Sequence, residues 1–121
     1  MSKEERRKMK QMRNEELKIQ AEGFKWLHDH GIFCHSVPNE AAGRSQIMQS
    51  QLAGAGLVSG VADMVIWWPD GIGYLEFKTP KGKQSLNQKT FENLCRRCGV
   101  SYDLVRSLDD VKKVSERHGV R

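Results

Sequence analysis

Two carboxylates and one ammonium group are the residues of this sequence best suited to chemistry. Asp63 is followed, after twelve intervening positions, by Glu76 and Lys78. Carboxylate oxygens are the ligands that hard divalent cations prefer, and a lysine beside such a cation can hold a water or a charged oxygen. The residue types therefore predict a site for one oxygen-preferring cation, provided that the chain brings the three side chains together. A purely structural ion-pair cluster is the alternative interpretation of the same residues.

A β-hairpin is the element that would bring these residues together. Two apolar runs flank an Asp-Gly pair at 70–71, which favours a tight reversal. A hairpin closed about this pair places Asp63 opposite Lys78 and Val65 opposite Glu76. Because side chains alternate between the two faces of a strand, all three charged groups leave the same face, with the Cβ atoms of the two acids roughly 7 Å apart.

The charged residues belong to a longer pattern of four ordered blocks. The blocks are Pro38-Asn39-Glu40, Gly60-Val61-Ala62-Asp63, Glu76-Phe77-Lys78-Thr79-Pro80-Lys81-Gly82 and Gln88. Over roughly residues 32–107, this pattern resembles the virus-type replication-repair nuclease domain, VRR-NUC, of the PD-(D/E)XK nuclease superfamily. Ala62 stands where the superfamily signature has Pro, at a position that shapes the start of the strand and supplies no ligand.

The resemblance implies a metal-dependent, structure-selective DNA endonuclease that hydrolyses phosphodiester bonds. In such an enzyme, Asp63, Glu76 and the backbone carbonyl of Phe77 would bind Mg²⁺ or Mn²⁺. Lys78 would orient the attacking water or stabilise the negative charge that develops on the phosphate. The resemblance thus turns the predicted cation site into a predicted active site.

Five further residues receive roles around this centre. The resemblance makes Glu40 a third acidic residue of the active site, although it could equally be an acid at the start of the helix that follows. Gln88 would orient Lys78 or a phosphate oxygen, and its alternative is an ordinary exposed glutamine. Arg44, Lys81 and Lys83 are predicted to contact the DNA backbone, where positive charge lowers the free energy of binding.

Composition agrees with a small enzyme that acts on a polyanion. The 121 residues, taken as one domain over 1–121, carry a net charge of +5, which suits an anionic partner without establishing one. The mean hydropathy is −0.63, and no stretch approaches the roughly 20 apolar residues of a membrane span. The charged N-terminus lacks the apolar core of a signal peptide. We expect no membrane segment and a cytoplasmic location, in a bacterial or phage-infected cell if the resemblance holds.

The pattern along the chain predicts elements in the order αβαββαβα. This order is typical of a mixed β-sheet with helices on both sides, as in the PD-(D/E)XK, restriction-endonuclease-like fold that the resemblance implies. The first helix would begin at a capping box on Ser2 and end near Gly31. Its inward stripe would consist of Leu17, Ala21, Phe24 and Leu27. Residues 1–16 form a basic helical extension, interpreted as a solvated face, a phosphate contact or a contact with a second subunit.

The shape of the substrate bears on the number of active sites. Symmetric incision of a four-way (Holliday) junction requires two active sites related by a two-fold axis, and one such domain supplies only one. The leading hypothesis is therefore a homodimeric junction-resolving endonuclease. One alternative is a nuclease of the same fold that acts on flaps or duplex ends. The other is a nucleic-acid-binding module without hydrolytic activity, in which the charged cluster is structural.

Overall fold

The computed structural model describes residues 1–38 and 45–121 and shows the predicted order of elements. These elements are α1 (Lys3–Asp29), β1 (Cys34–Ser36), α2 (Gln46–Gly54), β2 (Met64–Trp68), β3 (Gly71–Phe77), α3 (Leu86–Arg97), β4 (Ser101–Val105) and α4 (Leu108–Arg117). The order αβαββαβα is confirmed. Of the helices in the described ranges, none is both long and apolar enough to cross a membrane.

The four strands form one mixed sheet in the order β1-β2-β3-β4. β2 pairs antiparallel with both β1 and β3. β4 pairs in parallel with β3, because α3 carries the chain back over one face of the sheet before β4 begins. The other face packs against α1 and α4, where fully buried Leu27, Ile66, Leu75 and Val111 form the main core cluster. Helices therefore cover both faces of the sheet, as predicted.

The β2–β3 hairpin closes two residues away from the predicted register. Its turn residues are 69–70, because proline at the first turn position already has the φ angle that the turn needs. Val65 therefore no longer faces Glu76, and continuing the observed register places Asp63 opposite Glu76 rather than Lys78. A shift by an even number leaves every side chain on its predicted face. The register shift therefore leaves Asp63 and Glu76 on the same face as each other.

The helix α1 docks onto the sheet only through its C-terminal half. Leu27 is fully buried, and Gly23 approaches β3 so closely that a Cβ atom would lie 2.9 Å from the ring of Phe77. The other members of the predicted inward stripe are exposed: Leu17, Ala21 and Phe24. That prediction was wrong because a search for apolar side chains does not count a glycine whose missing side chain permits the closest packing.

Candidate active site

Three predicted residues meet at the end of β2 and β3 that lies away from the hairpin turn. Asp63 directly precedes β2, Glu76 lies in β3, and Lys78 directly follows it. Oδ2 of Asp63 accepts a hydrogen bond of 2.7 Å from the backbone N–H of Phe77, which ties the acid across the hairpin. The backbone N–H of Lys78 donates to the carbonyl of Val105 at 3.0 Å, which fixes the lysine between β3 and β4.

A further carboxylate at this place comes from α1 and was missed in the sequence. Oε1 of Glu16 lies 3.9 Å from Nζ of Lys78. Glu16 stands at helical spacing from the docked residues Gly23 and Leu27, so it lies on the side of α1 that faces the sheet. This spacing is visible in the sequence, but the predicted inward stripe of apolar residues lies on the neighbouring side of the helix.

Burial raises the pKa of all three carboxyl groups above its ordinary value. For Asp63, burial outweighs the Phe77 N–H and the Lys78 ammonium, both of which lower the pKa. For Glu76, burial outweighs the Tyr102 hydroxyl and Lys78, and the charge of Asp63 raises the pKa further. For Glu16, burial is again the largest cause, with Lys78 opposing it. The negative charges are therefore poorly compensated by the protein alone.

Glu76 gives the clearest sign that a cation belongs here. Its side chain is fully buried, yet neither carboxylate oxygen accepts a hydrogen bond of ordinary geometry from the described residues. Tyr102 and Gln84 are both near enough to lower the pKa of Glu76, but neither makes a hydrogen bond of ordinary geometry with it. Buried polar groups are almost always paired, so two open acceptors beside Asp63 fit an oxygen-preferring cation.

The protein supplies only part of a coordination shell. In residues 1–38 and 45–121, no three His, Cys, Asp or Glu side chains form a complete metal-binding cluster. Mg²⁺ is commonly bound by one or two carboxylates and keeps water and substrate phosphate as its other ligands. A pair formed by Asp63 and Glu76 fits this coordination, and the backbone carbonyl predicted as a further ligand belongs to Phe77, the residue directly after Glu76.

A polar network behind Glu76 was also missed. Nε2 of Gln84 donates to the hydroxyl oxygen of Tyr102 at 3.0 Å and to Oε1 of Glu92 at 3.1 Å. Because the Tyr102 oxygen accepts this bond, its own proton is free to point towards Glu76. Burial, with the nearby Glu76 charge, raises the pKa of Tyr102 far above its ordinary value, so the hydroxyl stays protonated. Tyr102 lies in β4, and its position beside Glu76 depends on the parallel pairing of β3 with β4.

Gln88 lies near the candidate active site, and its amide oxygen already accepts a hydrogen bond within the protein. It lines a cleft of about 640 Å³ together with Asp63 and Gly60. Its amide oxygen accepts a hydrogen bond of 2.8 Å from the backbone N–H of Ser85, in the capping box that begins α3. The amide nitrogen of Gln88 takes no part in that bond.

The basic loop after Lys78 is held in place by an arginine that sequence reasoning did not select. Nη1 of Arg106 donates to the carbonyls of Thr79 and Gly82, each at 2.7 Å. Lys81 and Lys83 are exposed on this anchored loop. The two remaining predicted residues, Glu40 and Arg44, lie outside the described residues.

Because the buried Glu76 carboxylate is poorly compensated, we expect the protein to become more stable against unfolding when this charge is removed. Its pKa in the folded state lies above the ordinary value of 4.5, so the folded state binds its proton more tightly than the unfolded state. Stability contributed by this proton is present below that ordinary value and is lost as pH rises through the raised pKa. Without metal, Glu76→Gln should raise the unfolding free energy at neutral pH by about 1–3 kcal/mol, and the gain should vanish near pH 4.

Urea unfolding in EDTA at acidic and neutral pH measures this difference. Glu116→Gln, at an exposed site on α4, is the matched control and should change stability little at either pH. A Glu76→Gln variant that is less stable than the unmodified protein at neutral pH would show that Tyr102 and Lys78 already compensate the charge.

The mixed four-stranded sheet between helices is the arrangement expected of a PD-(D/E)XK-type nuclease domain. Residues 14–109 match the family model of the VRR-NUC domain, so the chain belongs to this family of nuclease-type domains. A solved structure described as a VRR_NUC domain shares 22% sequence identity, with a TM-score of 0.61 over 84% of this chain and 95% of that chain. This likeness is one of fold. No curated protein matches the chain by sequence.

Proposed function

We propose that this protein is a divalent-metal-dependent endonuclease that hydrolyses phosphodiester bonds in DNA. The observation that carries the proposal is buried Glu76, whose two open carboxylate oxygens lie beside Asp63 and Lys78 in a chain of the VRR-NUC family. Asp63, Glu76 and the backbone carbonyl of Phe77 would hold Mg²⁺ or Mn²⁺. Glu40 is proposed as an additional active-site acid.

Each side chain has a defined task in the hydrolysis. A divalent ion held by Asp63, Glu76 and the carbonyl of Phe77 would polarise the scissile phosphate and lower the pKa of a bound water. Lys78 places a positive charge where negative charge develops on the phosphate, and Glu16 restrains the position of that ammonium group. The water oxygen forms a bond to phosphorus while the bond from phosphorus to the 3′ oxygen breaks. The products carry 5′-phosphate and 3′-hydroxyl ends.

The surrounding residues are proposed to bind and orient the DNA. Lys81 and Lys83 contact flanking phosphates from the loop that Arg106 anchors, and Arg44 adds a further phosphate contact. The amide nitrogen of Gln88 donates to a phosphate oxygen from the wall of the cleft. These contacts hold the strand in line with the attacking water.

A four-way junction is the proposed substrate and a homodimer the proposed active form. One chain presents one candidate site, and paired incision across a junction needs two sites related by a two-fold axis. A flap or duplex-end nuclease would need only one. A non-catalytic binding module would need none. The buried oxygens of Glu76, which have no hydrogen-bond partner within residues 1–38 and 45–121, count against such a module because they weaken the fold without a ligand.

Incubation of labelled junction, flap and linear duplex DNA with Mg²⁺, Mn²⁺ or EDTA tests this proposal. We expect paired incision of the junction with either metal and no incision in EDTA or with Asp63→Ala. Incision of flaps or ends in preference to junctions would overturn the junction as the proposed substrate but would support the proposed nuclease activity. DNA binding without cleavage in the presence of either metal would overturn the proposed nuclease activity.

A further inference from the structure

The first half of α1 projects away from the rest of the domain. Every residue from 1 to 15 is exposed, whereas the helix is continuous from Lys3 to Asp29. Residues 3–13, here called the arm, extend for roughly 16 Å at the rise of an α-helix. The family model begins at residue 14, so the arm lies outside the part of the chain that matches the family.

Charge on the arm is segregated onto separate sides of the helix. The basic stripe consists of Lys3, Arg6, Arg7, Lys10 and Arg13. Spacings of three and four residues place these side chains along one side. Glu4 and Glu5 fall on another side, where Glu4 lies 3.7 Å from Lys8. Among the residues that the structure describes, no carboxylate lies within ion-pair distance of the basic stripe.

The basic stripe is connected rigidly to the candidate active site. A capping box of Ser2 and Glu5 closes the start of the helix. From there the helix runs unbroken to Glu16, which lies 3.9 Å from Lys78. Arg13 precedes Glu16 by one helical turn, so the basic stripe begins at the edge of the site and leads outward.

A polyanion lying along the arm accounts for both its charge and its helical form. A short helix without tertiary contacts is marginally stable in water, and repulsion within a row of like charges weakens it further. Phosphates beside the basic stripe would remove that repulsion and release their own counterions. A partner chain would bury the arm through an apolar face, and for this the arm offers only two exposed apolar side chains, Met9 and Met12.

We propose that the basic stripe binds the phosphate backbone of the duplex that flanks the scissile bond. The proposal rests on the nuclease function in that the duplex is part of its substrate. At 3.4 Å of rise per base pair, the arm spans about five base pairs of DNA. It therefore extends the binding surface of the active site in one direction, from Glu16 outward.

The test is DNA binding measured by fluorescence anisotropy in EDTA, over a range of salt concentrations. In Arg6→Gln/Lys10→Gln/Arg13→Gln, glutamine keeps a good helix propensity while it removes three charges. We expect the slope of log K against log salt to become shallower by about 3, because each lost phosphate contact removes about one unit. The control Lys25→Gln/Lys112→Gln/Lys113→Gln removes the same charge from exposed sites on α1 and α4 and should keep the slope.

A second measurement uses the length of the flanking duplex. Affinity of the unmodified protein should rise as the flank is extended to about five base pairs and then level off, and the arm variant should show little of this rise. A charge-conserving variant, Arg6→Lys/Arg13→Lys, should behave like the unmodified protein, since the contact depends mainly on charge. Equal thermal midpoints for all variants would show that the core is unaffected.

The possible outcomes separate this inference from the nuclease function. Equal salt slopes in the arm variant and its control would overturn the inference, even if the protein cleaves DNA. So would an unchanged slope combined with a change in oligomeric mass, which would assign the arm to a contact between two copies of the chain. A shallower slope with no cleavage in any metal would support phosphate binding by the basic stripe and would overturn the proposed nuclease activity.

Discussion

Lys78→Met is expected to slow cleavage by about 10²- to 10³-fold, which is the usual cost of removing one electrostatic stabiliser of a transition state. The Lys78 side chain is buried, and its ammonium group lowers the pKa of Asp63, Glu76 and Glu16. Methionine keeps much of the volume but removes the charge. Single-turnover cleavage at saturating protein measures the chemical step apart from DNA binding.

Two further variants show whether the effect of Lys78→Met comes from the lost charge at this site. Lys112→Met removes a charge from the exposed side of α4 and should leave the rate unchanged. Lys78→Arg should restore part of the rate, because a positive charge returns with a different shape. A Lys78→Met variant that cleaves at the original rate would assign Lys78 to the structural ion pair with Glu16 and remove it from the chemistry.

Gly60→Ala is expected to destabilise the fold and to damage the site together. Gly60 has a φ of +86°, and a Cβ atom there would lie 2.5 Å from the backbone carbonyl of Asn87 in α3. The left-handed backbone costs about 1–2 kcal/mol for alanine, and the overlap adds about 1–3 kcal/mol. Because Asp63 follows three residues later, we also expect cleavage to fall in the folded fraction.

Gly31→Ala separates these two costs. Gly31 also has a positive φ, of +74°, but a Cβ atom there meets nothing within 4 Å. Urea unfolding should therefore show a larger loss for Gly60→Ala than for Gly31→Ala. Equal losses of unfolding free energy would mean that α3 moves at little cost to make room for the added methyl group. Its contact with Gly60 would then not determine the backbone position that leads to Asp63.

The local parts of the site were predictable because they depend on strand alternation. Asp63 and Glu76 were placed on one face by counting residues along two strands, and a register shift of two could not change that result. Motif blocks around the same residues pointed to the family that the comparison confirms. The order of elements followed from apolar periods and from helix-start signals such as the capping box on Ser2.

The parts that escaped prediction depend on how distant segments dock. Glu16 reaches the site because Gly23 lets α1 approach β3 closely, and no local pattern reveals that contact. Tyr102 lies beside Glu76 because β4 pairs in parallel with β3, which a sequence pattern does not specify. Arg106 anchors the basic loop through backbone carbonyls, and these acceptors depend on the path of the loop rather than on its residue types.

The proposed function depends on a divalent cation held jointly by Asp63 and Glu76. Calorimetric titration of the metal-free protein with Mn²⁺, in the presence of duplex DNA, tests it directly. We expect saturable binding that tightens as pH rises, because both carboxyl groups have raised pKa values and must release their protons. We also expect Asp63→Asn and Glu76→Gln each to abolish this binding. Unaltered Mn²⁺ binding in either variant, or no binding by the unmodified protein, would overturn the proposed metal site.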